Sequence, residues 1–552
     1  MSLCSSKPSK PHPLKGIDWR EVSTNTDMSS RFAIEVFNRF SDLFIEEVTS
    51  DNVDQAYSTL VNVTEKIALD QLPKKKKKKL LNASEYPSVC TARDNLKTAS
   101  SLFHAKPTRR RKANLDSAKH ELDNAYLNAE VAYINGQINS LSQNFSENKH
   151  RNAWKLVREL SGKNSKPSIQ IKGGSSKKRL ENWFFHFQNL LGKKPTLPET
   201  NILPREQISP LLNIPESSFT LKELHKALSE TKSSKAFGPD NIPPIIWKDA
   251  HFHDLLLKIC NIALEDSICT SYWLNSNIVP VPKKGDLTLA TNYRGISLLP
   301  IAAKIYNKLL LNRIRPHVDP LLRNNQNGFR SGRSTLSQIL ALRRILEEAR
   351  NFNLDAVLVF VDFKKAFDSV DRDKMFDILS LYGIPPKIIK AIQLLYTDTK
   401  ACVQTPDGDT DSFSILAGIL QGDTLAPFLF ILVVDYIMRV SVDKISDCGF
   451  QLERKRGPRN PAVHITDTDF ADDIALISSR IADAQKLLNS LESAANCIGL
   501  YLNELKTEFY TPNLTDPSVE IKTNSGNNLK RVNDYKYLGS YISSSEKDFK
   551  IR

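Results

Sequence analysis

The chain has 552 residues, enough for two to four domains, and its 40% hydrophobic content supports a packed core. The formal net charge of +14 favours a polyanionic partner. The seven cysteines are scattered without a CxxC pair, so zinc-ligand spacing is absent, a disulfide framework is not expected, and a reducing compartment fits. The longest apolar run, 425–438, is too short to span a bilayer, and the first residues lack a signal-peptide core. We therefore expect an intracellular protein that is neither secreted nor membrane-bound.

The N-terminal part of the chain is basic and predicted to be helical. Residues 1–30 are rich in Ser, Pro and Lys and are expected to be a disordered tail. Residues 31–214 form a helical basic region, in which 109–141 is predicted as one long charged helix with little apolar surface. The basic runs at 74–79 and 109–112 are either solvated faces or nucleic-acid contacts and import signals.

From residue 215 onward the pattern becomes mixed α/β. Helices are predicted over 219–232, 302–314, 424–440 and 481–497, with a further one capped by Asp371. Strands are predicted over 278–282, 357–361 and 501–510, and a hairpin over 401–415.

Two segments place carboxylates beside otherwise apolar strands. The apolar run 357–361 is predicted as a strand buried on both faces, and it ends in Asp362. Asp472 and Asp473 lie at the predicted turn of a second hairpin. Carboxylates on such strands are costly without a compensating charge, and side by side they repel unless a metal lies between them. Two divalent ions held by shared carboxylates are the device that polymerases use for in-line phosphoryl transfer.

Eight segments follow one another in a specific order. They are KAFGPDNIP (235–243), NYRGISLLP (292–300), QNGFRSGRST (326–335), VDFKKAFDSV (361–370), GILQGDTLAPFLF (418–430), FADDIALIS (470–478), GLYLNELKTEFY (499–510) and YKYLGSYI (535–542). Over about 219–542 the chain resembles the reverse transcriptases of non-LTR (LINE-type) retrotransposons.

The resemblance implies an α+β fold of the right-hand polymerase type. It places the reverse transcriptase domain at 215–542, with fingers at 215–355, a palm with an antiparallel sheet at 356–530 and a primer-grip hairpin at 531–542. Residues 543–552 would begin a truncated thumb. An upstream endonuclease, usual in full-length members, is not expected within residues 1–215 because ordered His, Asp and Asn motifs are missing there.

The resemblance also assigns the reaction centre. Asp362, Asp472 and Asp473 would be the catalytic carboxylates, with the Phe363 backbone lining a site for two Mg²⁺, for which Mn²⁺ could substitute. Because neighbouring strand residues point to opposite faces, the metal contact of Asp473 is the less certain one. Lys506 would approach the leaving pyrophosphate and could act as a general acid.

Five residues match the dNTP-binding positions of the family. Arg294 suits the triphosphate through bidentate hydrogen bonds, and Lys364 could also approach it. Phe367 would exclude a ribose 2′-hydroxyl by its bulk. Gln421 and Gly422 would lie beneath the nascent base pair, where glycine allows close backbone approach.

A further set of residues would contact nucleic acid, with solvated or packing roles as the alternatives. Phosphate contacts of this kind position a strand but do not read its sequence. The set consists of Lys283, Lys284, Arg330, Arg333, Tyr537 and Gly539.

The favoured function is RNA-directed DNA polymerisation, with an RNA template, a DNA primer or target, and dNTPs as partners. A catalytically idle nucleic-acid-binding fragment of such an element is the main alternative. An RNA-dependent RNA polymerase is disfavoured by Phe367 and Ala471, and a maturase would need a further downstream domain. The compartment, nucleus or cytoplasm, and the oligomeric state stay open.

Overall fold

The structure is a computed structural model that describes residues 17, 19, 22, 26–73, 86–147, 149–150, 153–154, 157, 171–198, 205–233, 236–283, 285–420, 422–453, 462–512 and 519–542. It forms two compact units, one of residues 1–73 and 171–552 and the other of residues 74–170. The predicted tail at 1–30 and the predicted thumb start at 543–552 fall mostly or wholly outside the described residues. No helix among the described residues is long and apolar enough to cross a membrane.

Helices and strands alternate along the larger unit, and the smaller unit contains α3 and α4. The helices are α1 (Thr26–Leu43), α2 (Val53–Gln71), α3 (Pro87–Ala105), α4 (Arg109–Ser146), α5 (Ser176–Leu191), α6 (Leu221–Ser229), α7 (Pro244–Lys248), α8 (His253–Glu265), α9 (Ile301–Val318), α10 (Thr335–Asn351), α11 (Ala366–Ser369), α12 (Arg372–Leu381), α13 (Pro386–Gln393), α14 (Ala426–Ser441) and α15 (Ile481–Asn496). The strands are β1 (Asn275–Pro282), β2 (Tyr293–Leu298), β3 (Val357–Val361), β4 (Lys400–Thr405), β5 (Gly408–Asp409), β6 (Phe413–Ser414), β7 (Phe450–Glu453), β8 (Val463–Ile465), β9 (Asp467–Phe470), β10 (Asp473–Ser478), β11 (Glu508–Tyr510), β12 (Lys530–Arg531), β13 (Lys536–Tyr537) and β14 (Ser540–Tyr541).

The palm sheet has the strand order β12–β11–β3–β10–β9. Its neighbours are antiparallel except for the parallel pair β11–β12. Every residue of β3 is buried, as predicted for a strand covered on both faces. The mixed α/β architecture with an antiparallel-rich sheet confirms the predicted fold class.

A second sheet has the strand order β2–β1–β4–β5, with β6 also paired to β4, so it joins strands from the predicted fingers and palm ranges. Strand β1 is antiparallel to β2 and parallel to β4. Helix α5 packs on this sheet, where Trp183 meets Tyr293 edge-to-face at 4.9 Å between ring centroids. Gly295 makes room for the same helix, because a Cβ there would lie 2.7 Å from the Phe187 ring.

The first two helices also pack on the fingers. The Tyr57 hydroxyl donates to Asp240 Oδ2 at 2.8 Å, and the Thr270 hydroxyl donates to Asp54 Oδ1 at 2.7 Å. Residues upstream of 215 therefore contribute to the same core as the polymerase motifs. The predicted domain limit at 214/215 stays a prediction.

Most predicted elements occur within a few residues of their expected limits. Asp371 caps α12 by accepting the Lys374 N–H at 2.9 Å, as predicted. The strand expected over 501–510 is shorter, since only Glu508–Tyr510 is paired in the palm sheet and the Lys506 and Thr507 N–H groups close a turn onto Asn503.

In the smaller unit α3 and α4 lie side by side, joined by residues 106–108. Arg93 of α3 donates to the Tyr126 hydroxyl of α4 at 2.7 Å, which fits an antiparallel pair. The expectation of little apolar surface over 109–141 is wrong for its second half, where Leu127, Val131 and Ile134 are 64%, 50% and 41% exposed.

Candidate active site

The register of the palm sheet brings the predicted carboxylates together. Val361, the last residue of β3, pairs with Ile474 of β10. Asp362 follows β3, while Asp472 and Asp473 lie in and just after the turn between β9 and β10. All three therefore lie at the same end of the sheet.

The three carboxylates influence one another electrostatically. Burial and the negative charge of Asp362 raise the pKa of Asp472. Although the side chain of Asp473 reaches solvent, desolvation by the surrounding protein raises its pKa to about 6. The negative charges of Asp472 and Asp362 act in the same direction. This mutual repulsion marks a place where a cation would be stabilised.

The β9–β10 turn is held by a buried amide. Ala471 has a left-handed φ of +57°, unusual for a residue with a Cβ. The fully buried Gln326 side chain accepts the N–H groups of Ala471 at 2.9 Å and Gly328 at 2.8 Å. A Cβ on Gly328 would lie 2.4 Å from the Ala471 nitrogen, so only glycine allows this approach. Sequence reasoning missed both roles, although QNGFRSGRST was the signal that contained them.

Asp362 is held from the other side by the 503–507 turn. Asn503 donates its side-chain amide to Asp362 Oδ2 at 2.9 Å and its backbone N–H to the Asp362 carbonyl at 2.7 Å. Thr507 Oγ1 accepts the Asp362 N–H at 3.2 Å. The exposed Lys506 ammonium lies 3.8 Å from Asp362 Oδ2, so the structure brings this predicted residue to the site. Asn503 was not predicted.

The two residues after Asp362 point to different roles. Phe363 is buried and its backbone bridges to Leu502, so it anchors the 503–507 turn to the palm. The Lys364 ammonium interacts electrostatically with Glu492 and Glu504. The structure thus does not show Lys364 among the basic residues that face the carboxylates.

A basic group does face the carboxylates from the fingers. Arg294 of β2 is exposed, and its charge acts against the raised pKa of Asp472. Partial burial and the charge of Arg294 lower the pKa of Lys283, and the charges of Lys506 and Lys365 act in the same direction. The predicted residues Lys283, Arg294 and Lys506 therefore gather around the site, joined by Lys365 rather than Lys364.

Phe367 is fixed by packing and remains partly exposed. Its ring stacks on Phe430 at 4.1 Å between centroids and meets Phe329 edge-on at 6.5 Å. Gly422 has a φ of +115°, and a Cβ there would lie 2.2 Å from the Ser297 carbonyl oxygen. The glycine is therefore required by its contact with β2, independently of any nucleotide.

The structure corrects the expectation for Arg330. Its side chain is 6% exposed, and its guanidinium donates to Asp319 and to backbone carbonyls of Arg323 and Gln326. Because its guanidinium is hydrogen-bonded to these groups within the protein, Arg330 is not oriented toward a template phosphate. Arg333 is exposed and donates to Asn327 Oδ1 at 3.3 Å, which leaves it on the surface.

Tyr537 also differs from expectation. It is buried, and its hydroxyl lies within hydrogen-bond distance of the carbonyls of Thr468 (3.2 Å) and Asp473 (3.0 Å), so it supports the catalytic hairpin from beneath. Gly539, by contrast, is exposed at the β13–β14 turn with φ +87° and open space around its Cβ position. Lys284 and Gln421 lie outside the described residues.

A second, buried carboxylate cluster lies behind the catalytic turn. Arg323, whose side chain is 6% exposed, contacts Asp467 at 2.7 Å, Asp469 at 3.0 Å and Asp443 at 2.8 Å. Its backbone N–H donates to Asp435 Oδ1 at 2.7 Å. We name these four carboxylates and Arg323 the Arg323 cluster.

Burial and neighbouring charges shift the pKa values of two carboxylates of the Arg323 cluster in opposite directions. Burial and the charge of Asp467 raise the pKa of Asp469 well above its usual value. Burial opposes ionisation of Asp467 too, but the charge and hydrogen bond of Arg323 outweigh it and lower the pKa of Asp467. Burial and Asp467 thus favour the protonated form of Asp469, whereas Arg323 favours the ionised form of Asp467, and the contacts of Arg323 tie β9 to the residues that precede Gln326.

The exposed carboxylates suit a hard cation. Their donor atoms are all oxygen, and burial together with neighbouring negative charges raises the pKa values of Asp472 and Asp473. Within the described ranges, however, no three His, Cys, Asp or Glu side chains form a ready-made metal cage. Magnesium is commonly bound by one or two carboxylates with substrate phosphates and water, which this arrangement allows.

An antiparallel sheet with carboxylates at one edge and basic residues opposite is an arrangement suited to metal-assisted phosphoryl transfer. The reverse transcriptase (RNA-dependent DNA polymerase) family matches residues 281–542. The match covers a little under half of the chain, and the similar proteins are named as products of transposons and retrotransposable elements.

Three relatives illustrate the similarity. The chain is 25% identical over 347 residues to the Transposon TX1 uncharacterized 149 kDa protein of Xenopus laevis, covering 60% of this chain and 25% of that protein. It is 25% identical over 340 residues to a Pol polyprotein from the type-1 retrotransposable element R2 of Nasonia vitripennis, covering 60% and 31%. It is 25% identical over 337 residues to the RNA-directed DNA polymerase from mobile element jockey of Drosophila melanogaster, covering 59% and 35%. The chain spans between a quarter and about a third of the length of these relatives.

Proposed function

We propose that this chain is an RNA-directed DNA polymerase of a non-LTR retroelement, which adds dNTPs to a DNA 3′ end on an RNA template. The observation that carries the proposal is the convergence of Asp362, Asp472 and Asp473 at one sheet edge, opposite Arg294 and Lys283. Repelling carboxylates facing cationic side chains suit a metal–triphosphate complex, in which both sets of charges are neutralised.

Asp362 and Asp472 would hold two Mg²⁺, or Mn²⁺ in their place, and Asp473 would add negative charge beside them. The bound ions would lower the pKa of the primer 3′-hydroxyl and neutralise charge on the triphosphate. Asn503 and Gln326 would keep the two carboxylate-bearing segments in register with each other, through their bonds to Asp362 and Ala471.

The basic residues would orient the triphosphate. Arg294 presents a guanidinium suited to bidentate phosphate contacts, with Lys283 and Lys365 beside it. Lys506, 3.8 Å from Asp362, would donate a proton to the leaving pyrophosphate. The packed Phe367 ring would meet the sugar 2′ position and exclude a hydroxyl group.

The nucleic-acid strands would follow exposed basic and glycine positions of the larger unit. Arg333 on the fingers and the exposed turn at Gly539 are available for backbone contacts. Because counterion release dominates binding to a polyanion, RNA affinity should fall steeply with salt. Such a protein works in the nucleus or cytoplasm.

The test is primer extension on a primed RNA template with Mg²⁺ and dNTPs. The wild type should extend the primer, Asp362→Ala should not, and Asp377→Ala, which changes an exposed aspartate on α12, should behave as wild type. RNA binding is measured beside extension. No extension by a folded wild type that binds RNA would reject the polymerase and favour an idle nucleic-acid-binding fragment.

Sugar selection gives a second test. Phe367→Ala should raise ribonucleotide incorporation by about tenfold or more relative to dNTP, since the steric block is removed. Phe376→Ala, a partly exposed phenylalanine on α12, is the matched control. An unchanged dNTP/rNTP ratio in Phe367→Ala would refute the steric role while leaving the polymerase assignment intact.

A further inference from the structure

The second half of α4 carries a continuous apolar row. Its members are spaced by 4, 3, 4, 3 and 4 residues, which is a heptad spacing, and all are at least partly exposed. We name this row the α4 seam, and it consists of Leu127, Val131, Ile134, Ile138, Leu141 and Phe145. An exposed row of this length is unusual on a solvated helix, which is normally polar on its outer face.

The α4 seam is distinct from the face that contacts α3. Ala118 and Ala129, the two fully buried residues of α4, do not belong to the seam. Helix α3 has 19 residues and α4 has 38, so α3 can cover only about half of α4. Beyond it Ile138 is 46% exposed, and Phe145 is 38% exposed although its ring meets Trp154 edge-on at 6.3 Å between centroids.

Charge divides α4 at the same point. Residues 109–123 contain eight charged side chains, whereas 124–146 contain one, Glu130. A helix that faced only water would be expected to be polar on every side. The loss of charge along the seam instead indicates a face that is covered in the working protein.

The heptad positions of the α4 seam indicate what kind of partner packs on it. Val131, Ile138 and Phe145 occupy a positions, and Leu127, Ile134 and Leu141 occupy d positions. Apolar residues at successive a and d positions pack as knobs into the holes of a facing helix, which is the pattern of a coiled coil. The flanking e and g positions are uncharged except for Glu130, so two identical helices can meet without a row of like charges.

We propose that the α4 seam is a homodimerisation surface, on which α4 of a second copy of this chain packs as an antiparallel two-stranded coiled coil. Antiparallel pairing places the basic run 109–112 of the two copies at opposite ends, whereas parallel pairing would place the runs side by side. It also leaves α3 of each copy at a separate end. Each d residue then meets an a residue of the other copy, with Leu127 beside Phe145, Val131 beside Leu141 and Ile134 beside Ile138.

The oligomeric state of the full chain tests this surface. Sedimentation velocity or light scattering should show a monomer–dimer equilibrium in the micromolar range. Ile134→Lys/Ile138→Lys should shift it at least about tenfold toward monomer, because four charges would meet in an apolar interface. Ala132→Lys/Asn139→Lys adds the same charge to exposed b positions of the same helix and should leave the dimer intact.

Two outcomes overturn the proposal. A dimer that persists in both double variants would place the interface elsewhere on the chain. A monomeric wild type would exclude the dimer; if the seam variant then melted lower than its control, the seam would be covered by the chain's own residues 148–170 instead. Circular dichroism of each variant checks that the helices remain folded.

A photo-crosslinking amino acid at Asn128, beside the seam, tests the orientation. In the antiparallel dimer it should crosslink to the second copy near residue 144, and in a parallel dimer near residue 128, as mapped by mass spectrometry. Crosslinks near 128 would overturn the antiparallel arrangement. None of these measurements depends on polymerase activity.

Discussion

Two groups of carboxylates lie on either side of the same hairpin, and they are built in opposite ways. Asp362, Asp472 and Asp473 reach solvent at the sheet edge, and partial burial followed by the charges of neighbouring carboxylates raises the pKa values of the last two. In the Arg323 cluster, Asp467 and Asp469 are fully buried and bonded to a guanidinium that the chain itself supplies.

The difference shows that a concentration of aspartates does not by itself mark a catalytic site. In the Arg323 cluster the guanidinium groups of Arg323 and, on Asp435, of Arg439 offset the burial of several acids, and the pKa of Asp469 is raised. At the sheet edge the nearest cations, Arg294 and Lys506, are exposed and free to meet a phosphate. The Arg323 cluster fixes the hairpin, whereas Asp362, Asp472 and Asp473 remain available to substrate and metal.

The largest effect on primer extension should come from substituting one of the exposed carboxylates at the sheet edge. Asp472→Asn should lower primer extension by about a thousandfold or more, because losing a metal-binding charge removes several kcal/mol of transition-state stabilisation. RNA binding and the melting temperature should be nearly unchanged. Single-turnover extension and RNA titration measure the two properties, and wild-type extension by the variant would contradict the assignment.

Breaking the Arg323 cluster should act on folding rather than chemistry. Arg323→Met should destabilise the protein by about 3–5 kcal/mol, since Asp467 would be left buried without its partner. Urea unfolding measures this change, and Arg333→Met, at an exposed arginine, is the control. A stability equal to that of the control would show that the cluster is not the anchor described above.

The link between the two groups is Gln326. Gln326→Leu should cost about 1–3 kcal/mol of stability, because the buried N–H groups of Ala471 and Gly328 lose their acceptor. Extension should fall by about ten- to a hundredfold at unchanged RNA affinity, since Asp472 loses its position. If stability fell but kcat of the folded fraction did not, Gln326 would be structural only.

The smallest effect concerns pH. The pKa of Asp473 is raised to about 6 in the folded protein, above an unfolded value of about 3.9, so the folded state binds more protons between these values. The contribution of Asp473 to stability should therefore fall as pH rises from about 4 to about 6 and stay lower above that. With the effect discounted for solvent exposure to about 1 kcal/mol, Asp473→Asn should raise Tm at pH 7.5 in EDTA by about 1–2 °C.

Excess Mg²⁺ should reduce this Tm difference, because a bound cation relieves the repulsion in the wild type. Asp377→Asn serves as the control for removing an exposed carboxylate. If the stability difference between Asp473→Asn and wild type did not grow from about pH 4 to about pH 6, that would contradict the raised pKa of Asp473.

Sequence alone was sufficient for the fold class and for the carboxylates. An apolar strand ending in Asp362 and a turn containing Asp472 are patterns of local spacing, and pairing of the two strands brings them together. The residues that position them were not predictable in the same way. The contacts of Gln326 with Ala471 and of Asn503 with Asp362 join segments 145 and 141 residues apart.

Burial explains the misplaced arginine and tyrosine. Arg330 and Tyr537 belong to motifs whose residue types suit nucleic acid, yet each hydrogen-bonds to backbone carbonyls within the protein. A composition of Arg, Gly and Tyr does not reveal which face of an element is covered. The α4 seam was overlooked for a related reason, because the charges of residues 109–123 dominate the pattern of the whole helix.

The packing of α2 and α5 limits where the chain can be truncated without exposing its core. A truncation that begins at residue 215 would keep every polymerase motif but lose Trp183, Phe187 and Tyr57, all of them fully or almost fully buried. Asp240 would lose its hydroxyl donor, and Gly295 would face a void instead of a ring. We therefore expect a chain that begins at residue 215 to be less stable than one that keeps α2 and α5.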